Sequence, residues 1–425
     1  MTQPLLDSRP LPAESGRPEH PRSVLVVDAR PGTFTDRAYE RTDADIILLR
    51  FPADIDPAYR ERTAHLPCFE VLAGESDAAA AERYLKFAAG LPNAPTYFCN
   101  PHEPLQAEAQ AFAGLVGLPH LSPLQVERVR KKPAMKKRYA ELGMRCAAFA
   151  SVSTADEVAA FADRNGWPVI VKPTDSFACI DTYRVEGPEG IPELRSERDW
   201  TVEEFIRGRE FQLCGLVLEG RVMAAYLSLN PRPILEVLEG AMNANITFAR
   251  GEPHPVDEVE LCQRLVDAFE IDHGYFHGEC WVTDEGEFVM GEVAARISGC
   301  EVPENHGRAY GWDVHRSILD TYVGLEPTLD YSRDRSVGDL LLPTGHGVVT
   351  RVSDWEDIRI LQGVTGGRIK VAEGEALDPP RASMASSGYV HVEGESVAQV
   401  IERMQNVLDN YVIEIDGLQA TGGVA

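Results

Sequence analysis

The sequence predicts an α/β and α+β chain: a doubly wound N-terminal domain, a central section of mixed strands and helices, and a small C-terminal α+β domain. Three observations predict it. Short β-branched runs alternate with helical stretches between residues 22 and 125. The stretch FHGECWVTDEGEFVMGEVAARISG, Phe276 to Gly299, reads as two strands around an Asp-Glu-Gly turn. From about Ser336, glycines and prolines recur between short β-like pieces, and the close reads strand, helix, strand.

Taken in order, residues 1–21 are rich in proline, serine and charge and are expected to be a disordered lead-in. The first domain, 22–125, opens on SVLVVDA, a buried parallel strand by its β-branched content. Similar runs follow at ADIILLRF, CFEVLA and PTYFCN, with a helix near Ala78 to Leu91. Such sheets often bind a ligand at the carboxyl edge. The first strand continues as DARPGTF, however, without a G-x-G-x-x-G, so no dinucleotide site is expected there.

The second section, 126–330, opens on a basic helix, RVRKKPAMKKRYAELG, Arg128 to Gly143, ending in a glycine suited to a C-cap. A solvated face is the usual fate of such a charge run. After a helix around Thr154 to Asn165 comes PVIVKP, a strand with Lys172 at its exposed end, then a small, polar loop from Thr174 to Thr182. Trp200 to Leu229 gives further strands, and Pro255 to Ile271 a helix with an apolar face at 3-4 spacing. Residues 336–425 form the third, small α+β domain.

Composition excludes several classes. The chain has 425 residues, enough for two or three domains with their own cores, and a formal net charge of −26. That charge argues against nucleic acid, which requires a basic surface, but leaves room for a nucleotide held by a local cluster of lysines and arginines. No run of about twenty apolar residues or signal-type core is present, so neither a membrane span nor export is expected. The eight cysteines show no paired spacing and read as reduced, mostly buried thiols of a cytoplasmic protein without structural zinc.

The hairpin carries Glu279 on one arm and Glu292 and Arg296 on the other. Surface glutamates on a solvent-facing hairpin are the plain alternative. Two paired strands can hold two carboxylates on one face, about 7–8 Å apart if diagonal. A four-residue Thr283–Gly286 loop places both on one face; a three-residue loop places them on opposite faces unless a bulge intervenes.

Together these pieces resemble the ATP-grasp superfamily, specifically its carboxylate–amine (L-amino-acid) ligase branch, over nearly the whole chain from residue 22. The order and separation of the motifs carry the resemblance. It implies a pre-ATP-grasp domain, a central ATP-grasp domain of two subdomains, and a C-terminal cap, which GYVHVEGESVAQVIERM resembles. By position, Lys132 in RKKPAMKK and Lys172 in VIVKP match the phosphate-binding lysines. In VEEFIRGREF, Glu203 and the main chain of Glu204 and Ile206 match the adenine contacts, and Glu210 the ribose contact. Glu279 and Glu292 match the Mg²⁺ ligands, with Mn²⁺ able to substitute, and Arg296 the arginine facing the transferred phosphoryl group, with a salt-bridged structural arginine as the alternative. His277 reads as a structural histidine, with a contact to metal or phosphate as the alternative. Two departures stand out: TDSFACIDTYRV has no glycine after Lys-Pro, and Ala294 replaces an expected asparagine, which favours one Mg²⁺ over two.

The resemblance implies an ATP-dependent ligase that makes an amide through an acyl phosphate and releases ADP and phosphate. Its partners would be a small-molecule carboxylate and amine, at least one an amino acid, with a homodimer as the family expectation. Asn245, Arg250, Glu301 and His306, in MNANITFARG and RISGCEVPENHG, are the candidate substrate contacts. An ATP-grasp enzyme with another acceptor (carboxylase-like, hydroxyl or thiol) and a nucleotide-binding module without chemistry are the alternatives.

Overall fold

A computed structural model describes residues 22–416, apart from 30, 31, 42, 54, 238, 239 and 381. The expected disorder of residues 1–21 lies outside the described residues. The chain divides into two units: one holds the residues up to Cys99 with Phe112–Pro119, the other Asn100–Ala111 and everything from His120 on.

In the first unit the apolar runs become β1 (Arg22–Val27), β2 (Ala44–Arg50), β3 (Cys68–Glu70) and β4 (Tyr97–Cys99). They form a parallel sheet in the order β3-β2-β1-β4. The β-branched runs are there because both faces are covered: Val24 to Val27 are fully buried. At the carboxyl edge Arg50 Nε donates to Asp28 Oδ2 at 2.7 Å, and the hydroxyls of Tyr39 and Tyr59 donate to Asp28 Oδ1 at 2.7 and 2.5 Å. The polar groups of this edge therefore satisfy one another.

The second unit contains two sheets that matter for the site. β5 (Phe149–Val152), β6 (Val169–Pro173), β7 (Tyr183–Val185) and β8 (Trp200–Glu204) form an antiparallel sheet in the order β5-β8-β6-β7. Helix Ala155–Asn165 packs on it through Val158, Phe161 and Ala162, against Val169, Val171 and Val202. β9 (Gly208–Leu218), β10 (Arg221–Asn230), β11 (Asn243–Thr247), β12 (His273–Thr283) and β13 (Phe288–Ala294) open the larger sheet.

After them come β14 (Ser336–Leu342), β15 (Gly347–Val352), β16 (Val364–Ile369), β17 (Ala376–Leu377), β18 (Gly388–Gly394) and β19 (Ile413–Asp416). Here the architecture differs from a freestanding cap. β14, β16 and β18 extend the larger sheet, whose order is β13-β12-β9-β10-β11-β14-β18-β16, while β17-β15-β19 form a small sheet of their own. The reason is a shared core. Leu340, Val390 and Val392 pack in one cluster with Leu265 of helix Glu258–Phe269 and Met404 of helix Val397–Asn410.

The basic stretch also differs from the single helix expected. It forms Pro123–Arg130 and Lys132–Glu141, broken at Lys131, whose ψ of 112° is extended. Pro133 is the cause, since proline in a helix interior lacks a donor and clashes with the preceding turn, while in a first turn it costs nothing. The break turns neighbouring lysines apart: Lys131 is exposed and Lys132 is buried.

Candidate active site

The β12–β13 hairpin answers the register question. Thr283 N donates to Glu287 O and Gly286 N to Thr283 O, both at 2.9 Å, and Gly286 takes φ +82°, so the loop is the three-residue Asp284–Gly286. From it Val282 pairs with Phe288 and Cys280 with Met290, a register that would set Glu279 against Gly291 and turn Glu292 to the other face. Between Gly278 and Cys280 the register shifts, and Gly278 pairs with Val293. One extra residue in β13 makes a bulge, and the bulge brings Glu292 to the face of Glu279.

Gly291 is required there. A Cβ on it would lie 2.2 Å from Trp281 Cζ3 and 3.0 Å from Glu279 O. Gly291→Ala is therefore expected to lower stability by about 1–3 kcal/mol and to reduce turnover by displacing Glu292. Paired melting and rate measurements check it; a variant unchanged in both would mean the bulge tolerates a side chain.

Around Glu292 the two sheets converge. Lys172 of β6 lies 2.9 Å from Glu292 Oε1 and 3.1 Å from Glu203 Oε2 of β8. Lys132 Nζ lies 3.3 Å from Glu292 Oε2 and donates to Ser176 O at 2.6 Å. Lys136, one turn further along the same helix, reaches Glu203 Oε2 at 3.4 Å. Burial works against ionising Glu292, but Lys132 and Lys172 outweigh it and hold the carboxyl far below its usual range. Glu203 is lowered in the same way by Lys136 and Lys172.

Arg296 does not point alone into the cleft. Its Nε donates to Glu103 Oε2 at 2.8 Å, and Arg130 reaches Glu103 Oε1 at 2.6 Å. Glu103 thus holds two guanidinium groups.

A polar file crosses the larger sheet from this end. Glu210 pairs with Asn230, Asn245 with Asp339, and Asp339 with His391; extending the β10–β11 register places Asn230 opposite Asn245. Directly opposed residues share a face. Asn230 Nδ2 donates to Glu210 Oε1 and Asn245 Nδ2 to Asn230 Oδ1, both at 2.9 Å. Asn305, fully buried in helix Val302–Tyr310, donates to Asp339 Oδ1 at 2.6 Å and meets His391 Nδ1 at 3.1 Å. Burial, then Glu279, pushes the Glu210 carboxyl up to about 8.

Asp339 is pushed up from 3.8 to about 7, mainly by burial, with Glu301 adding to it. A carboxyl raised on folding contributes stability that is complete below its unfolded value and is lost as pH rises through the folded one. Asp339→Asn removes that loss while keeping an acceptor for Asn305. The variant is expected to gain in melting temperature over the parent as pH rises from about 4 to 7. Parallel pH profiles would show that Asp339 does not titrate there.

The residues singled out in the sequence fall into three groups. Lys132, Lys172, Glu203 and Glu292 are in direct contact, with Glu279 on the same face and Glu210 heading the polar file. Glu279 Oε1 lies 3.5 Å from His277 Nε2. Burial opposes a charge on His277, but hydrogen bonding to Cys214 and Glu279 prevails and lifts it to about 9. Glu204 N donates to Ala148 O at 2.8 Å, its side chain accepts from Ala148 N at 3.1 Å, and Ile206 sits in the link between β8 and β9. Asn245 belongs to the polar file, and Glu301 stands at the N-cap position of helix Val302–Tyr310 without a capping hydrogen bond, 3.8 Å from His391 Nε2.

Arg250 and His306 are not brought to the cluster. Arg250 is exposed and stacks over Tyr331 at 4.2 Å. His306 is a core histidine: fully buried, stacked on Tyr226 at 4.1 Å and 3.3 Å from the Tyr275 hydroxyl, because its helix face packs inward. Sequence reasoning missed Lys136, Glu103, Arg130, Asp339, Asn305 and His391. Only Lys136 carried a signal, its i+4 spacing from Lys132.

The donor set fits a nucleotide with a hard divalent cation. Glu279 and Glu292 are each about one quarter exposed on one face, beside the buried Lys132 and Lys136 and the partly buried Lys172. Mg²⁺ commonly takes one or two protein carboxylates and fills its remaining positions with phosphate and water. Glu203 Oε1 and Gln212 Oε1 are buried without a hydrogen-bond partner among the described residues, as expected of groups that face a polar ligand.

Known proteins agree with this geometry. Residues 340–416 match the family described as L-amino acid ligase C-terminal domain 2. Over 282 residues the chain is 25% identical to the L-arginine-specific L-amino acid ligase of Bacillus subtilis, covering 63% of this chain and 68% of that one. Over 199 residues it is 29% identical to the D-alanine–D-alanine ligase of Geobacter sulfurreducens, covering 43% of this chain and 61% of that one. The crystal structure of the L-amino acid ligase from Bacillus licheniformis superposes with a TM-score of 0.73 at 19% identity, over 93% of this chain and 99% of that one. The N5-carboxyaminoimidazole ribonucleotide synthetase of Thermotoga maritima gives 0.67 at 14% identity, over 93% and 100%. At such identity the two structures show a shared fold.

Two sheets that meet over a cluster of lysines and carboxylates are the arrangement of an ATP-grasp fold. Within that class the chain is similar to L-amino acid ligases, in sequence over 282 residues and through the match of residues 340–416 to their C-terminal domain 2.

Proposed function

We propose that this chain joins the carboxylate of one amino acid to the amine of another by way of an acyl phosphate, releasing ADP and phosphate. The observation that carries the reading is the meeting of Lys132, Lys172 and Glu203 with Glu292, on the face that also holds Glu279. Lys132 and Lys172 are point charges for the nucleotide phosphates, and each is held in place by a carboxylate until the phosphates arrive. Glu203 and the main chain of Glu204 and Ile206 would meet the adenine edge, and Glu210 would accept from the ribose hydroxyls.

Glu279 and Glu292 would hold Mg²⁺, or Mn²⁺ in its place, which when bound neutralises charge on the transferred phosphoryl group. Arg296, oriented by Glu103, stabilises the oxyanion that develops on the substrate. No side chain serves as a covalent nucleophile. The work is positioning and charge neutralisation.

The test is release of ADP and phosphate from ATP across pairs of amino acids, with the amide product read by mass. Equal amounts of ADP, phosphate and amide are expected. If ATP binds but no acid–amine pair yields ADP, the ligase reading fails, and AMP as product would overturn the acyl-phosphate route.

A further inference from the structure

The loop between β6 and β7, TDSFACIDT from Thr174 to Thr182, carries no glycine, yet its backbone adopts the shape glycine favours. Ala178, Cys179 and Asp181 have φ of +51°, +56° and +54°. Two overlapping turns build that shape, Ile180 N donating to Phe177 O and Thr182 N to Cys179 O, both at 3.1 Å. L-residues do not adopt left-handed conformations without strain, and such a segment persists only where its surroundings over-determine it.

Three contacts do so. Lys132 Nζ holds Ser176 O while facing Glu292, which ties the loop to the phosphate lysines. Ser383 N donates to Ala178 O at 3.0 Å, and Asn243 Nδ2 steadies Ser383 by its carbonyl at 2.5 Å. The third is Arg198. It donates to Asp181 Oδ2 at 2.5 Å and faces Asp175 Oδ1 across 4.0 Å, so one guanidinium bonds the far end of the loop and pairs by charge with the near end. The backbone keeps Arg198 at the loop base, since its neighbour Asp199 accepts from Thr174 N at 2.9 Å.

We infer that Arg198 is a positioning residue for ATP, holding a glycine-free loop pre-shaped for the phosphates. A glycine-rich loop reaches its bound shape through flexibility and gives up that freedom on binding. Here the shape is set beforehand, by side chains at the loop's two ends. Arg198 itself need not touch nucleotide. The inference rests on the ATP-site reading above.

The test measures MgADP affinity by calorimetry alongside steady-state kinetics. Arg198→Ala is expected to weaken MgADP binding roughly tenfold, to raise the KM for ATP in step, and to leave kcat and the amino-acid KM values within about threefold. Arg198→Lys should recover part of the loss. Adding Ala178→Gly and Cys179→Gly to Arg198→Ala should recover more, because glycine adopts positive φ without steric cost.

A merely structural arginine would lower stability without this split and without glycine rescue. If Arg198→Ala does not fold, Asp175→Asn with Asp181→Asn removes the same grip from the loop side, and the same outcomes apply. Wild-type MgADP affinity in the arginine or paired aspartate variants, or no recovery with glycines, overturns the inference. Lys172→Met separates the two levels. If it loses MgADP while Arg198→Ala binds normally, only the loop inference falls; if both bind normally, the ATP-site reading falls with it.

Discussion

Replacing Glu292 by glutamine is expected to reduce ATP-dependent turnover by about a thousandfold or more in a chain that still folds. Among the described residues Glu292 is the one carboxylate that meets both Lys132, at 3.3 Å, and Lys172, at 2.9 Å, and the β13 bulge sets it beside Glu279. Glutamine keeps the shape and one acceptor oxygen. It removes the charge that orients two ammonium groups and that a hard divalent cation requires. The side chain is only partly shielded, so water can answer the lysines, and the stability change should stay near 1–2 kcal/mol. Turnover, far-UV circular dichroism and MgADP titration on one preparation check each clause. Near-wild-type rates would remove Glu292 from the metal site.

Through the order and separation of its motifs, rather than through any one charge, the sequence points to Lys132, Lys172, Glu203 and Glu292, which the structure brings into contact. Lys172 ends an apolar strand, and Glu279 and Glu292 interrupt two more. What escaped was set by register and by long-range pairing. The bulge depends on a three-residue turn and on the space that Trp281 denies a side chain at Gly291, neither of which leaves a periodic trace. Asp339 and His391 enter the polar file because β14 and β18 join the larger sheet, and strand order is not written in local pattern. Glu103 sits in an irregular stretch far from Arg296 in sequence. His306 and Arg250 differ for the opposite reason: both are polar residues near a motif, but one packs in the core and the other over Tyr331.

Lys172→Met should destabilise the chain by about 3–5 kcal/mol and abolish thermal stabilisation by MgATP. Lys172 stands between Glu203 and Glu292, and both carboxylates hold its ammonium protonated against burial. Methionine preserves the stem and leaves the nearly buried Glu203 with Lys136 alone, 3.4 Å away. The pH dependence has a definite sign. In the parent, the Glu203 carboxyl is lowered despite burial, so its contribution is present above the unfolded pKa and is lost as pH falls through the folded one. In the variant, burial has less opposition and the Glu203 pKa rises, so protonation relieves the strain and the deficit shrinks as pH falls. It should be largest at neutral pH and above. Pairing Lys172→Met with Glu203→Gln removes both charges, and the double variant should fall short of the sum by about 1–3 kcal/mol. Strict additivity would mean that the two residues do not share an energetic unit. For nucleotide, a ligand at a hundred times its Kd stabilises a fold by about 2.7 kcal/mol, a readily visible shift in melting temperature. A shift of parental size in Lys172→Met would show that the phosphates bind elsewhere.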